Sequence, residues 1–176
     1  MNQPGSADTV VTLDTVVTFV STTALFAGLD AAEGSEVVRI MEVQRFTDGE
    51  DVFREGDPGD AWFIVFDGRA KVLKQAGAGA REIANLERGA VFGEIAMLDG
   101  QPRSATVRAG GPLTVLRFRR SRFEELLEQG SLGAYKLVLS IARVLAQRHR
   151  QLTQQIAQLT PANAAVTPTA QFQISE

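Results

Sequence analysis

The sequence predicts a mainly β fold, an antiparallel β-roll resembling a double-stranded jelly roll, with helices before and after it. The first observation is a series of short runs rich in β-branched and aromatic residues, separated by turn pairs such as Asp48-Gly49. The second is the helical spacing of apolar residues in the segments on both sides of this series. With 176 residues, the chain has room for one domain with a sizeable core.

The expected domain occupies residues 10–159. In chain order it contains N-terminal helices at 10–40, a β-roll at 41–118 and C-terminal helices at 119–159. The segments 1–9 and 160–176 have no sustained apolar period, so we expect disordered tails there.

The first helical segment is defined by apolar residues three or four positions apart, although its Val and Thr content favours a strand by propensity. These residues are Val10, Leu13, Val17, Val20 and Ala24. A turn at 25–30 leads into a second short helical segment. That segment contains Glu36, Val37, Val38 and Ile40.

Seven runs predict the strands of the roll, and many of them alternate apolar with polar residues. They lie at 42–46, 51–55, 61–66, 70–74, 81–86, 104–109 and 113–118. Glycine-containing turns separate them, including a loop of alternating alanine and glycine at 76–80. Short strands at this spacing are typical of an antiparallel sandwich or roll.

Helical periodicity returns after the last strand. Residues 119–129 form a short amphipathic segment that ends at Gly130, and Ser131 is placed to cap a longer helix through about Leu159. Apolar residues recur along that helix at about the 3.5-residue period of a coiled-coil seam. They are Val138, Ile141, Leu145, Leu152, Ile156 and Leu159. This seam either packs on the roll or pairs with a second subunit, and its length favours a homodimer.

Composition excludes several classes of protein. The net charge of −3 gives no general attraction for nucleic acid or anionic lipid, so we expect no DNA and no membrane partner. The chain has no cysteine and one histidine, which excludes disulfides and argues against a transition-metal site. The N-terminus lacks the features of a secretory signal, so we expect a cytoplasmic protein.

One irregular stretch, at 88–107, interrupts the strand pattern. Gly93 permits close backbone approach and opens a short helix from Glu94 to Leu98, whose first N–H groups have no partner within the helix and favour an anion. Arg103 can return a guanidinium to the same anion and give two charge-assisted hydrogen bonds to one phosphate. Ser104 adds a hydroxyl donor beside it.

Glu94 is informative because its carboxylate would repel a phosphate that it faced directly. It suits a ligand that carries hydroxyl donors next to its phosphate, as a ribose on a cyclic phosphodiester does. An acid for the sugar and a base for the phosphate together indicate a nucleotide ligand. The alternative is that Glu94 and Arg103 pair with each other as a structural salt bridge.

The stretch FGEIAMLDGQPRSATV, at 92–107, resembles the phosphate-binding cassette of the cyclic-nucleotide-binding domain family. That family includes the catabolite activator, the regulatory subunits of the cAMP-dependent kinase and cyclic-nucleotide-gated channels. The upstream FTDGEDVFREGDPGDAWFIVFDGRAKV, at 46–72, matches the β-roll of the same family. The resemblance extends from about Leu25 into the long final helix.

The resemblance implies a role for each matched residue. Glu94 would bind the ribose 2′-hydroxyl and Arg103 the cyclic phosphate, while Ile83 and Val91 would form the walls around the sugar and base. Ala96 and Ser104 would offer backbone N–H and hydroxyl contacts. The implied ligand-binding set is Ile83, Val91, Phe92, Gly93, Glu94, Ile95, Ala96, Arg103, Ser104 and Ala105. The resemblance implies cAMP or cGMP as the ligand, and we expect cAMP because it is the commoner of the two in bacteria, with a cyclic dinucleotide as a further alternative. The resemblance implies neither a cofactor nor a metal.

We therefore expect a sensor whose final helix closes over the bound nucleotide and signals to a dimer partner or an unknown protein effector. An enzyme is not expected, because the chain lacks the nucleophile, metal and phosphate-loop motifs. The acidic run at 48–60 lacks the spacing of an EF-hand, so we interpret it as a solvated rim of β-turns.

Two alternatives to this sensor remain. A transcription factor of the catabolite-activator type would need a helix-turn-helix domain after the long helix. Because the 17 residues after Leu159 are too few for such a domain, this alternative requires the chain to be a fragment. A scaffold that has lost its ligand is disfavoured by the presence of both Glu94 and Arg103.

Overall fold

The computed structural model of the protein describes residues 11–77 and 79–159. The chain divides into two compact units, Met1–Ile141 and Ala142–Glu176. Val10 and the two predicted tails lie outside the described residues.

The first unit begins with helices, as the spacing of its apolar residues predicts. Helix α1 spans Leu13–Thr22, a 3-10 helix spans Ala24–Phe26, and α2 spans Ala31–Val38. Thr12 and Thr15 form a reciprocal capping box that stabilises α1 in spite of its Val and Thr content. Asp30 and Glu33 form the same motif at the start of α2. The predicted second helical segment extends too far, because α2 ends at Val38 and Ile40 lies in the turn before the first strand.

Eight antiparallel strands are present in the described part of the chain, which confirms the predicted β-roll. They are β1 Met41–Phe46, β2 Asp51–Phe53, β3 Ala61–Asp67, β4 Ala70–Ala76, β5 Gly79–Leu86, β6 Val91–Phe92, β7 Thr106–Ala109 and β8 Leu113–Arg119. Three helices follow β6 in the chain: α3 Glu94–Asp99, α4 Arg120–Glu128 and α5 Leu132–Leu159. The strand that the sequence did not predict is β6, because two residues are too few to show an alternating pattern. The predicted loop at 76–80 was too long, since β4 and β5 pair as far as Ala76 and Gly79.

The strands form two four-stranded sheets. The first sheet has the order β1-β8-β3-β6 and the second the order β2-β7-β4-β5. One core cluster joins both sheets, and its buried members are Ala61, Phe63, Val65, Ala70, Leu86, Phe92, Val107, Ala109, Leu113 and Val115. Strand β3 is central to this arrangement, because its first six residues are buried on both faces.

Helices cover the outer face of the first sheet. The Trp62 ring of β3 is stacked on Phe118 of β8 with 3.9 Å between ring centroids, and Phe123 of α4 packs edge-on against it. Phe19 of α1 packs against Phe66 at 5.1 Å between centroids. These contacts give the first unit three layers, helices, first sheet and second sheet, and they bury Trp62 completely.

Helix α5 begins directly after Ser131, as predicted. The Ser131 hydroxyl accepts a hydrogen bond from the Ala134 N–H at 3.2 Å, which caps the first turn. Ala134, Leu137 and Ile141 are fully buried and anchor this part of the helix in the first unit.

The described residues of the second unit continue α5 to Leu159. Most of their side chains are exposed, among them Leu152 and Ile156, at 57% and 63%. No helix in the described ranges has both the length and the apolar character that crossing a membrane requires.

Asp51 ties β2 to the neighbouring strand β7. Its carboxylate accepts hydrogen bonds from Arg108 Nε at 2.6 Å and Arg54 Nε at 2.9 Å. The hydrogen bond from Arg108 holds the pKa of Asp51 below its ordinary value, with Arg54 adding to the effect and burial opposing it. Such a carboxylate stabilises the fold above the pKa of an unfolded aspartate, about 3.9, and this contribution is lost as the pH falls through the lower folded-state pKa. The interpretation of the acidic run as a solvated rim is therefore wrong for Asp51, whose side chain is 12% exposed.

We expect Asp51→Asn to lower the free energy of unfolding by about 1 kcal/mol at neutral pH. The difference from the wild type should shrink as the pH falls below about 3.9, where Asp51 of the unfolded chain begins to protonate, and should vanish once the folded-state carboxylate is protonated as well. Urea unfolding followed by the fluorescence of Trp62, the chain's one tryptophan, measures both effects. Asp48→Asn, at an exposed turn, is the control and should change stability by less than about 0.5 kcal/mol. A loss that stays constant to about pH 3 would contradict the role of the charge.

Candidate functional site

The irregular stretch between β6 and β7 turns at Gly93, and the predicted short helix is confirmed as α3. Gly93 precedes α3 with a φ of 75°, in the left-handed region of the backbone. A Cβ at this position would lie 2.7 Å from Arg103 Nη1. Both the backbone conformation and the close approach of Arg103 therefore require glycine.

The Arg103 side chain lies against the start of α3 and is 1% exposed. Its Nη1 donates a hydrogen bond to the Gly93 carbonyl at 2.8 Å, and its Nη2 lies 3.3 Å from Asp60 Oδ1. The guanidinium carbon stands 4.2 Å from the centroid of the Phe53 ring and 5.7 Å from that of Phe63. The residue that the sequence singled out for an anion is thus held beside the helix start from several sides.

The loop between β2 and β3 fixes the backbone of Arg103. The Gly56 N–H donates to the Arg103 carbonyl at 2.9 Å, and the Arg103 N–H donates to the Asp57 carbonyl at 2.8 Å. The same loop touches α3, since a Cβ at Gly59 would lie 2.5 Å from the Cβ of Ala96. One loop, far away in the sequence, therefore positions both the arginine and the helix.

Burial leaves the Arg103 guanidinium with an unused donor. Its Nε is buried and has no hydrogen-bond partner in the described part of the protein. Loss of hydration lowers the pKa of Arg103, and the negative charge of Asp60 opposes that change. Arginine stays protonated even so, because its ordinary pKa lies so high. A buried cation with an unsatisfied donor favours an anion brought to it from solution.

Glu94 is the first residue of α3 and is 2% exposed. A carboxylate in the first turn interacts favourably with the helix dipole, which offsets part of the cost of burying it. Because Arg103 binds the carbonyl of Gly93, directly before Glu94, an acid and a base meet at one end of the helix. Among the described residues, Arg103 forms an ion pair with Asp60.

Ser104 follows Arg103 and is exposed, and its carbonyl accepts a hydrogen bond from Lys74 Nζ at 2.7 Å. Lys74 also binds Glu55 at 2.6 Å, and this hydrogen bond holds the pKa of Glu55 below its ordinary value. The Glu55 carboxylate further accepts from the Gln75 N–H, while the Glu55 N–H donates to Thr106 Oγ1. Hydrogen bonds therefore connect the end of the cassette to both β4 and the β2–β3 loop.

Strand β5 leaves an apolar side chain uncovered. Its first seven residues are exposed and only its last is buried, whereas a strand in a two-sheet fold ordinarily buries alternate side chains. Ile83 is 57% exposed and falls where the register of β4 and β5 shifts at a bulge. An exposed isoleucine on an uncovered strand is available to contact a ligand.

The ten predicted ligand-binding residues differ in their exposure. Five are buried, namely Val91, Phe92, Glu94, Ala96 and Arg103. Three are exposed, Ile83, Ile95 and Ser104, and the remaining two, Gly93 and Ala105, are partly buried. Phe92 is stacked on Phe63 in the core, so it contributes to the floor beneath Arg103. The role of each residue toward a ligand stays a prediction.

Sequence reasoning missed two residues of the site, Asp60 and Arg117. Asp60 Oδ2 accepts a hydrogen bond from Arg117 Nη2 at 2.5 Å while Oδ1 faces Arg103. All three side chains line a cleft of about 480 Å³ whose walls include Phe46 and Phe53. Asp60 is 63% exposed, as a solvated turn residue should be, but the interpretation of a simple rim missed its two arginine partners. No local sequence signal reveals them, because they lie 43 and 57 positions away.

Comparison with known proteins agrees with this geometry. The family model described as "Cyclic nucleotide-binding domain" matches residues 43–130, half of the chain. A curated relative from Mucor circinelloides f. lusitanicus, a cAMP-dependent protein kinase regulatory subunit, is 37% identical over 109 residues. The match covers 62% of this chain and 26% of that relative, so the chain spans about a quarter of its length.

Two solved structures show the same architecture. A cyclic nucleotide-binding domain from Methylobacillus flagellatus is 26% identical, with a TM-score of 0.74 and 85% of each chain covered. The regulatory domain of Toxoplasma gondii PKA, solved with cAMP, is 29% identical with a TM-score of 0.62, over 73% of this chain and 48% of that one. The strand order, the cassette around Gly93 and these matches lead to one conclusion: the chain belongs to the cyclic nucleotide-binding domain family.

Proposed function

We propose that this protein is a cAMP sensor that binds the nucleotide at the cassette and transmits its presence through helix α5. The observation that carries the proposal is the buried Arg103 guanidinium, which is fixed at the start of α3 and whose Nε has no hydrogen-bond partner among the described residues. Because the whole chain has a net charge of −3, an anion must be held by a local site of this kind.

The cyclic phosphate is the group that Arg103 would bind. A planar guanidinium suits two oxygens of one phosphate, and charge-assisted hydrogen bonds are stronger in a site from which water is excluded. Arg103 is already positioned by Gly93, Asp60 and the β2–β3 loop, so little side-chain entropy would be lost on binding.

The ribose would lie beside Glu94. A carboxylate accepts a hydrogen bond from the 2′-hydroxyl, and its position next to Gly93 places it one residue from the carbonyl that Arg103 holds. Ile83 and Val91 would contact the sugar and base, for which the exposed face of β5 leaves room. Ala96, Ser104 and Ala105 would complete the contacts of the cassette with the phosphate.

cAMP is favoured over cGMP and over a cyclic dinucleotide because of the relatives. The curated relative that is 37% identical is named a cAMP-dependent kinase regulatory subunit, and the Toxoplasma gondii domain was solved with cAMP. Binding without turnover is the simplest activity for such a site. Among the described residues no cluster of His, Cys, Asp and Glu is arranged to hold a metal that would activate a water.

Signalling would begin at the first turns of α5, which contact α2. Lys136 Nζ binds the Glu33 carboxylate at 2.7 Å, and the Ser131 hydroxyl donates to Glu36 Oε2 at 2.5 Å. A ligand shifts such a helix only by the difference in its affinity for the two positions. Closure of α5 over the nucleotide would change these contacts and present an altered surface to a second subunit or an effector.

We expect Arg103→Leu to raise the Kd for cAMP at least about 100-fold, because removing one partner of a buried charge pair costs about 3 kcal/mol. Arg103→Lys should also bind poorly, since an ammonium lacks the planar fork. Calorimetric titration with cAMP, cGMP and a cyclic dinucleotide measures both the loss and the ligand preference. Arg122→Leu, on the exposed face of α4, is the matched control. An unchanged Kd in folded Arg103→Leu protein would refute the site.

Glu94→Gln should weaken cAMP binding about tenfold, because the amide is a weaker acceptor for the 2′-hydroxyl than the carboxylate. The same substitution should leave the Kd for 2′-deoxy-cAMP within about twofold of the wild-type value, since that ligand lacks the hydroxyl. Titrating cAMP and 2′-deoxy-cAMP into the wild type and into Glu94→Gln measures the coupling free energy between Glu94 and the 2′-hydroxyl. Equal losses for the two ligands would show that Glu94 acts on the fold and not on the ribose.

The exposed apolar residues of the second unit lead us to expect a homodimer through α5. The double variant Leu152→Glu/Ile156→Glu should then sediment as a monomer at concentrations where the wild type is dimeric, because it places charges on the apolar seam. Gln154→Glu/Gln158→Glu adds the same charge at exposed positions on the opposite face of the helix and should stay dimeric. A wild type that is monomeric in sedimentation equilibrium would remove the dimer from the proposal.

A further inference from the structure

We propose that Arg117 is a positioning residue for nucleotide binding, because it neutralises Asp60 and so leaves the charge of Arg103 available to the phosphate. The inference rests on the proposed function and extends it to a residue outside the cassette. It follows from the way in which two arginines share one carboxylate.

The two ion pairs of Asp60 are unequal. Its Oδ2 lies 2.5 Å from Arg117 Nη2, while its Oδ1 lies 3.3 Å from Arg103 Nη2. The shorter contact is the stronger one, because electrostatic attraction and hydrogen bonding both weaken with distance. Asp60 therefore orients Arg103 through the longer contact, and its charge is offset mainly by Arg117.

The net charge of this group decides what a ligand would meet. Arg103 and Asp60 alone form a neutral pair, whose field falls off quickly. With Arg117 the three side chains carry a net charge of about +1 at neutral pH. Since Arg103 is 1% exposed and Asp60 is 63% exposed, the buried end of the group is the cationic end. An anion that bound to Arg103 would therefore face a positive charge that Asp60 does not fully neutralise, because the Asp60 carboxylate is paired mainly with Arg117.

The backbone holds this geometry in place. Arg117 belongs to β8, which pairs with β3, and the Arg120 N–H donates to the Asp60 carbonyl at 2.8 Å. The Arg117 side chain is 16% exposed, and its Nε is buried without a hydrogen-bond partner in the described residues. Its other carboxylate neighbour, Glu42, is 3.6 Å away and lies closer to Arg119, at 2.6 Å. Asp60 is thus the main partner of Arg117.

Arg119 provides a matched control on the same strand. It shares Glu42 with Arg117, but no ion pair links it to Asp60 among the described residues. Replacing either arginine with methionine removes one positive charge from β8 and one ion pair with Glu42. Within the described ranges, only the Arg117 variant leaves Asp60 with Arg103 as its single arginine partner.

Calorimetric titration with cAMP tests the inference. We expect Arg117→Met to raise the Kd about tenfold, Arg119→Met to change it less than about twofold, and Arg117→Lys to restore most of the affinity because it keeps the charge. The effect of Arg117→Met should fall to within about twofold in an Asp60→Asn background, where no carboxylate needs to be neutralised. A purely structural role would not produce this coupling.

The outcomes separate the inference from the proposed function. If wild-type protein does not bind cAMP, the proposed function fails and the inference fails with it. If the wild type binds and Arg103→Leu does not, but Arg117→Met matches Arg119→Met or costs the same with and without Asp60, the inference alone is overturned. The fluorescence of Trp62 checks that each variant is folded. Should Arg117→Met not fold, Arg117→Gln replaces it with the same expected coupling to Asp60.

Discussion

The burial of the Arg103 guanidinium is the constraint on which the candidate site depends. Removing an arginine from water is unfavourable unless its donors meet acceptors. The chain supplies the carbonyl of Gly93, the carboxylate of Asp60 and the ring face of Phe53, while no group in the part of the chain that the structure describes accepts from the Nε donor. The side chain is thus fixed in place without being fully satisfied, which is the state that a site for a small anion requires.

The two-sheet scaffold explains how so short a helix can position this side chain. Helix α3 has six residues, too few to be stable alone, and it is held by contacts with β3 and with the β2–β3 loop. The aromatic side chains of Phe53, Phe63 and Phe92 pack against one another, and the Arg103 guanidinium lies over the rings of Phe53 and Phe63. The strands therefore keep the residues of the site in fixed positions. Gly59 lets the β2–β3 loop lie close to α3, and Gly93 lets the Arg103 side chain lie close to the start of that helix.

The fold was largely predictable because its signals are local. Turn pairs, alternation and capping residues act over a few positions, and they predicted seven of the eight strands and the five α-helices of the described residues, although not the 3-10 helix. The cassette was also predictable, since Gly93, Glu94 and Arg103 lie within eleven consecutive positions. Strand β6 was missed because two residues carry no period, and the solvated-rim interpretation failed at Asp51 because its partner Arg108 is 57 positions away.

The sequence by itself determined the element order, the glycine that opens α3 and the presence of an acid, Glu94, and a base, Arg103, in one short segment. Only the tertiary structure decided which groups surround that base. Asp60 reaches Arg103 because β3 pairs with β8 and a loop folds over the cassette, and Arg117 reaches Asp60 through the same pairing. Propensity and capping depend on neighbours in the chain, whereas charge interactions depend on distance in space, so strand register and not spacing selected these partners.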